Sequence, residues 1–253
     1  MRLDENPMSL LKNKLIATLP IIVIAVIFLF SLAMIPSIHS APHLLPNAIV
    51  NATGTQSANG NSPVLMLQPL WMACLIGNVI FLLVKNKQNY VNRKDRLRAN
   101  IVQFLWGAII ALAAGFSLTW FAGRWGIHIP LFTDTALFLA IAYLAFFLMI
   151  AAVFSWIGLK GMIIFVLLLF FGAPVLSVAP ELLPLFYRDW ILPWLPMRFL
   201  VDGLRELLFL GQGLSMNHPT IVLIWIAFGS LLVLLSSSFK GSRKPEQKKE
   251  SPR

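Results

Sequence analysis

KNKQNYVNRKDRLRAN, residues 85–100, decides the fold class of this 253-residue chain. The stretch carries six Lys and Arg side chains and a single Asp, and an uncharged apolar run flanks it on each side. An apolar run of about 20 residues crosses the ~30 Å hydrocarbon core of a bilayer as a helix. Basic residues gathered in short connections beside such runs are typical of a membrane protein, and they indicate its orientation.

Outward from this stretch, further apolar runs follow, and together they lie at 15–35, 64–84, 101–122, 135–156, 162–178 and 220–239. None has Asp, Glu, Lys, Arg or His in its interior. A charge at the bilayer centre costs at least ~2.5–3.5 kcal/mol, so all of these runs are compatible with lipid. We therefore predict an all-α membrane protein with six transmembrane helices. The first run also fits a signal peptide, but it exceeds the usual ~7–15 apolar residues, which favours a retained helix.

Positive charge alternates between the connections. Of the 20 Lys and Arg residues, 16 precede the first run, lie in 85–100, follow the last run or are Lys160. This bias predicts a multi-pass protein of the plasma membrane, with both termini in the cytoplasm. The predicted organisation is a cytoplasmic N-terminus 1–14, a helix 15–35, a short extracytoplasmic linker 36–63, a five-helix core 64–239 and a basic cytoplasmic tail 240–253.

Composition agrees with this class. The chain is 58% hydrophobic and 12% charged, whereas a soluble domain carries about 25% charged residues. A net charge of +10 raises the question of whether the protein binds nucleic acid. The basic residues lie beside apolar runs, however, where anionic lipid attracts them. We therefore expect the lipid bilayer as a partner and no nucleic acid.

The sequence lacks the common motifs of phosphate binding, metal binding and nucleophilic catalysis. It has no Gly-x-x-x-x-Gly-Lys-Ser/Thr phosphate loop, no His and Glu at metal-ligand spacing and no Gly-x-Ser-x-Gly turn. Its one cysteine, Cys74, excludes an intrachain disulfide framework. We therefore expect no catalytic residue, no cofactor, no metal site and no enzymatic activity.

An amphipathic helix is predicted over 197–210, between the fifth and sixth runs. Leucines 200, 204, 207 and 208 share one face, and charged residues share the other. Such a helix either caps the outer end of the bundle or lies in the outer interface, where it can be re-entrant. Ion pairs are available at Arg198–Asp202 and Asp202–Arg205, and Gly211 suits the C-terminal end. The candidate functional residues here are Pro196, Arg198, Asp202, Gly203, Arg205 and Glu206.

The connection 85–100 is the second candidate site. As the longest inside connection, it is the natural docking place for a cytoplasmic partner, through Arg93, Lys94, Arg96 and Arg98. The alternative is lipid anchoring, at about 1 kcal/mol for each basic residue.

Small and polar residues inside the runs predict helix packing. Gly107, Ala111 and Gly115 form a stripe that allows a neighbouring helix to approach closely. Asn78 is the strongly polar residue in mid-run, and an interhelical hydrogen bond is a better prediction for it than a substrate contact.

Two stretches carry a family resemblance. One is Leu45-Pro46-Asn47-Ala48-Ile49-Val50-Asn51, and the other is Leu195-Pro196-Met197 followed by Val201-Asp202-Gly203-Leu204-Arg205-Glu206. This order of parts resembles the YhgE/Pip (phage infection protein) family and its nitrosoguanidine-resistance-type relatives, which belong with the type-2 ABC exporter permeases. The resemblance covers about residues 10–51 and 60–240. The large extracytoplasmic domain that family members carry between their first two spans is missing here, because only residues 52–63 stand in its place.

The resemblance implies a permease-like subunit, dimeric with a second copy, that exports an amphiphilic or lipid-like substrate with a separate ATPase. The alternative hypothesis is a non-transporting membrane scaffold or accessory protein of cell-envelope or secretion machinery. Co-purification of an ATPase favours the first, and stable association with envelope machinery without an ATPase favours the second.

The charge bias predicts the outcome of reporter fusions. Fusions after Gly60 and near Leu214 are expected to be extracytoplasmic, and fusions near Asn92 and Gln247 cytoplasmic, because basic connections stay inside. Alkaline phosphatase and fluorescent-protein reporters show on which side of the membrane each fusion point lies. A cytoplasmic signal at Gly60 contradicts the six-span topology.

Overall fold

A computed structural model of the protein describes residues 14–38, 62–88, 92–178, 183–211 and 213–239. Within these ranges the chain is helical and forms no strand. The predicted N-terminus up to residue 13, the linker from 39 to 61 and the tail 240–253 lie outside the described residues. Helices suit apolar runs of this length because every backbone N–H and C=O that faces lipid must be paired within its own segment.

The longer helices are α1 Leu19–Ile38, α2 Ser62–Lys87, α3 Arg93–Arg124, α4 Phe132–Ile157, α5 Gly161–Ser177, α6 Met197–Phe209 and α7 His218–Ser236. Short helical turns are Lys14–Ala17, Gly158–Lys160, Tyr187–Ile191, Leu192–Trp194 and Ser237–Phe239.

Four stretches of the described chain are long and apolar enough to cross a membrane: Ser62–Lys87, Arg93–Arg124, Phe132–Ser177 and His218–Phe239. The predicted all-helical fold is therefore confirmed for the described residues, and the length and composition of these helices are compatible with a membrane protein. By length and composition, four stretches of the described chain qualify, whereas the sequence predicts six spans. One reason is that α1 enters this comparison only through Leu19–Ala33, the part whose side chains are described. The other is that Phe132–Ser177 contains both α4 and α5.

The stretch Phe132–Ser177 is a hairpin, in which the chain reverses at Gly158. Phe154 and Phe165 are 11 residues apart, yet their ring centroids are 6.3 Å apart, whereas a straight helix would separate them by about 16 Å along its axis. Trp71 of α2 confirms the reversal, because its ring lies 5.0 Å from that of Phe146 in α4 and 6.1 Å from that of Phe165 in α5. Gly158 has φ +68°, a conformation that residues with a side chain rarely adopt.

Helix α4 is the centre of the bundle and packs against α2, α3, α5, α6 and α7. Its closest neighbour is α3. A Cβ atom on Gly115 would lie 2.3 Å from the carbonyl oxygen of Ala136, and one on Gly107 would lie 2.7 Å from the ring of Phe147. The prediction of a close approach along the small-residue stripe is confirmed.

The two ends of the bundle differ in charge. At the basic end, α2 ends at Lys87, α3 begins at Arg93 and the α4–α5 turn carries Lys160. At the opposite end, called the cap end, α3 finishes at Arg124 and α6 covers the other helices. The connection predicted over 85–100 is mostly helical, because both α2 and α3 continue past their apolar runs.

Replacing Gly115 by Ala is expected to lower the thermal unfolding midpoint in detergent. The new methyl group meets backbone atoms of α4, which cannot rotate away, and overpacking of this kind costs about 1–3 kcal/mol or more. Heating the purified variant while following tryptophan fluorescence measures the change.

Gly229→Ala is the matched control, since Gly229 lies in α7 and a Cβ atom added there would meet no other atom within 4 Å. This variant is expected to be neutral or stabilised by about 1 kcal/mol, because Ala is the better helix former. Equal losses in both variants would contradict a specific α3–α4 contact.

Candidate functional site

Helix α6 is a packed cap on the bundle. Its predicted apolar face is buried: Leu200 and Leu204 are 0% exposed, and Leu207 and Leu208 are also buried. The helix contacts α2, α4 and α7 through this face. Of the two sequence interpretations, the structure therefore matches the cap and not a helix lying free in the interface.

One predicted residue of this helix, Gly203, shapes its packing. A Cβ atom on Gly203 would lie 2.2 Å from Cζ of Phe138 in α4, so Gly203 lets the aromatic ring contact the α6 backbone directly. Pro196 is half-buried and directly precedes the helix. Gly211, with φ +60°, follows its C-terminal end as predicted.

The charged face of α6 forms both predicted ion pairs. Asp202 accepts a hydrogen bond from Arg198 Nε at 3.0 Å and lies 3.4 Å from Arg205 Nη1. Arg205 Nη2 also donates to the carbonyl oxygen of Leu176, at the end of α5, at 3.2 Å. Glu206 accepts a hydrogen bond from the side-chain amide of Asn217, which begins α7. The charged face therefore ties the cap to α5 and α7.

A second polar cluster lies at the basic end, and we call Lys85, Asn100, Gln103, Asn78 and Ser238 the lysine hub. Lys85 Nζ donates to Asn100 Oδ1 at 2.6 Å and to Gln103 Oε1 at 3.0 Å. Gln103 Nε2 in turn lies 3.3 Å from Asn78 Oδ1. The hydrogen bonds thus run from the end of α2 through α3 and back to the middle of α2.

The hub also reaches α4 and α7. Asn78 Nδ2 donates to the carbonyl oxygen of Phe147 in α4 at 3.0 Å, which confirms the predicted interhelical bond. Asn100 Nδ2 donates to the carbonyl oxygen of Leu234 at 2.9 Å and to Ser238 Oγ at 3.0 Å. Four helices are therefore joined by amide groups whose donors and acceptors are paired with one another.

Sequence reasoning assigns Lys85 only to the charge bias and overlooks Asn100 and Gln103. A signal was available, because Asn100 and Gln103 continue the stripe of Gly107 and Ala111 along one face of α3. A polar side chain in line with a packing stripe must find a partner on the neighbouring helix, since leaving it unpaired inside a bundle costs several kcal/mol.

The four predicted docking residues lie on the first two turns of α3. Arg93, Lys94 and Arg98 are exposed, and Arg96 is half-buried. Positive charge at a helix N-terminus opposes the helix dipole by about 0.3–1 kcal/mol for each residue. Helix stability therefore does not explain these residues.

A half-open cleft of about 10 Å³ lies between α1, α2 and α3 beside Ser31, Met66 and Leu118. This volume holds about one water molecule. Within the described ranges, no group of three or more His, Cys, Asp or Glu residues is placed to hold a metal ion.

No protein-family model, curated protein or solved structure matches the chain. The family resemblance therefore stays a prediction.

Reversing the charge of Asp202 is expected to destabilise the cap. Asp202→Arg leaves three neighbouring cations on a partly buried face, and the expected loss is about 1–3 kcal/mol of unfolding free energy. Adding Arg205→Asp is expected to restore part of the loss, because an i,i+3 pair forms again. Thermal unfolding in detergent measures both variants.

The control is the exposed pair Arg188–Asp189, which also has a 2.9 Å contact. Reversing either charge alone is expected to change the unfolding free energy by less than about 1 kcal/mol, because exposed ion pairs contribute little. If Asp202→Ala and Arg205→Ala leave stability unchanged as well, the α6 pairs do not hold the cap.

Proposed function

We propose that the protein is a permease-like membrane subunit that moves an amphiphilic or lipid-like molecule and draws its energy from a separate ATPase. The observation that carries the proposal is that polar clusters close the same helix bundle at both ends. The lysine hub joins α2, α3, α4 and α7 at one end, and the charged face of α6 joins α5 and α7 at the other.

The interior between these clusters is apolar and aromatic. Trp71, Phe146 and Phe147 are 0% exposed, and the aromatic rings of α2 and α4 pack against one another. A molecule with a polar head and an apolar tail suits this arrangement, since the head meets the hydrogen-bonding ends and the tail meets the apolar helices.

A closed bundle of this kind must open for transport. The cleft beside Ser31, at about 10 Å³, is far too small for an amphiphile. Ion pairs and amide hydrogen bonds are suited to closures that open, because water or a polar head group can replace each partner at a modest net cost of about 1 kcal/mol per bond.

The topology that we propose has six spans with the basic end in the cytoplasm. Helix α5, with 17 residues, rises about 26 Å and returns through the membrane beside α4. Helix α1, with 20 residues, rises about 30 Å. Lys160, in the α4–α5 turn, then falls on the same side as the 85–100 stretch, as the charge bias requires.

The ATPase docks, in this proposal, on the exposed basic turns that begin α3. Replacing Arg93, Lys94, Arg96 and Arg98 together by Gln is expected to abolish co-purification of an ATPase from mild detergent while membrane insertion is retained. Mass spectrometry identifies the ATPase by its phosphate-loop sequence, and stimulation of its activity by added amphiphile tests transport coupling.

The matched control removes four charges from the tail, at Arg243, Lys244, Lys248 and Lys249. Recovery of the ATPase with this control, and not with the α3 variant, supports docking. Equal loss in both would leave lipid anchoring as the role of the charges. Recovery of envelope machinery without any ATPase would favour the scaffold hypothesis over the permease.

A further inference from the structure

Lys85 has no counter-charge among the residues that the structure describes. None of the ion pairs within the described ranges involves it. Asp95 is the acidic residue that α3 brings to the basic end. Because Asp95 precedes Asn100 by five residues, it lies about 140° around the helix from the amide that Lys85 binds. The charges that surround Lys85 along α2 and α3 are otherwise positive.

The side chains along α2 and α3 give the level of Lys85 in the membrane. On α3, Arg98 is the last charged residue before the exposed apolar Ile101. On α2, the exposed apolar Leu83 is followed by the exposed Lys87. Asn100, to which Lys85 Nζ donates at 2.6 Å, lies between these limits on α3. The ammonium group is therefore at the boundary between hydrocarbon and head groups, where lipid phosphates lie.

The hub orients the ammonium group and leaves it one donor. A lysine ammonium has three N–H bonds, and Asn100 and Gln103 accept two of them. The two amides are in turn fixed by Asn78, Leu234 and Ser238. Both partners are neutral, so no anion among the described residues balances the positive charge of Lys85.

We propose that Lys85, held by Asn100 and Gln103, binds the phosphate group of one anionic phospholipid at the basic end of the bundle. This site goes beyond the diffuse attraction of basic residues to anionic lipid, because one oriented donor holds one phosphate oxygen. Phosphatidylcholine has the same phosphate oxygens, but its choline cation offsets their charge, so Lys85 favours a lipid of net negative charge. The site does not depend on the permease proposal, since lipid binding is measured without transport.

The test measures retention of phosphatidylglycerol against phosphatidylcholine by native mass spectrometry in mild detergent. At about 0.5 M salt the Debye length is roughly 4 Å, so diffuse attraction is screened. The wild-type protein is expected to retain one phosphatidylglycerol. Lys85→Gln is expected to weaken this binding roughly tenfold or more, the usual effect of losing a charge-assisted hydrogen bond.

Lys87→Gln is the matched control. Lys87 is exposed, lies two residues from Lys85 and carries the same charge at nearly the same depth. Its replacement is expected to change retention less than about twofold in high salt, because an exposed charge acts mainly through the screened field.

Gln103→Glu keeps Lys85 and tests the charge balance directly. The substitution places a carboxylate where Lys85 now meets an amide oxygen at 3.0 Å, at the cost of the longer 3.3 Å bond to Asn78. Because the lysine then has an internal counter-ion, phosphatidylglycerol retention is expected to fall as in Lys85→Gln. If Lys85→Gln does not fold, the Gln103→Glu result decides.

Equal retention in the wild type, Lys85→Gln and Gln103→Glu would overturn the proposal. A competition experiment with inorganic phosphate then distinguishes a lipid from a soluble phosphate. Release of phosphatidylglycerol by inorganic phosphate at an equal concentration would overturn the assignment to a lipid in favour of a soluble phosphate, and continued retention supports the lipid.

Discussion

The close approach of α3 to α4 is the contact on which the rest of the bundle depends. At Gly115 the α4 backbone lies directly against α3, and at Gly107 the ring of Phe147 lies directly against the α3 backbone. That position presents the carbonyl oxygen of Phe147 to Asn78 and the ring of Phe138 to Gly203 in the cap. Both polar ends of the bundle are thus positioned by the same central helix.

The two ends solve the problem of polar groups in an apolar medium differently. At the cap end, Asp202 pairs with two arginines, and the face is partly open to solvent. At the basic end, Lys85 is held by neutral amides. An unpaired polar group in hydrocarbon costs several kcal/mol, whereas each satisfied bond contributes only about 1 kcal/mol. The hub therefore acts chiefly by excluding other helix arrangements, in which its amides would lose their partners.

The basic start of α3 shows which physical effect prevails where two compete. Cations there oppose the helix dipole by up to about 1 kcal/mol each. Moving a charge into the bilayer centre costs at least ~2.5–3.5 kcal/mol, and anionic lipid returns about 1 kcal/mol for each basic residue at the surface. In the proposed topology, membrane placement therefore outweighs helix electrostatics. Helix α3 begins with two charged turns before its apolar run.

The sequence by itself determined the helical membrane class, the small-residue stripe, the amphipathic α6 and its ion pairs, because each depends on spacing within one segment. It did not determine the partners of Lys85, which are 15 and 18 residues away on another helix. Nor did it separate a cap from an interfacial helix, because the same apolar face suits lipid or protein. Those features were decided by tertiary structure, since only the packing of α2, α3, α4 and α7 together places Asn78, Asn100 and Gln103 within hydrogen-bonding distance of other helices.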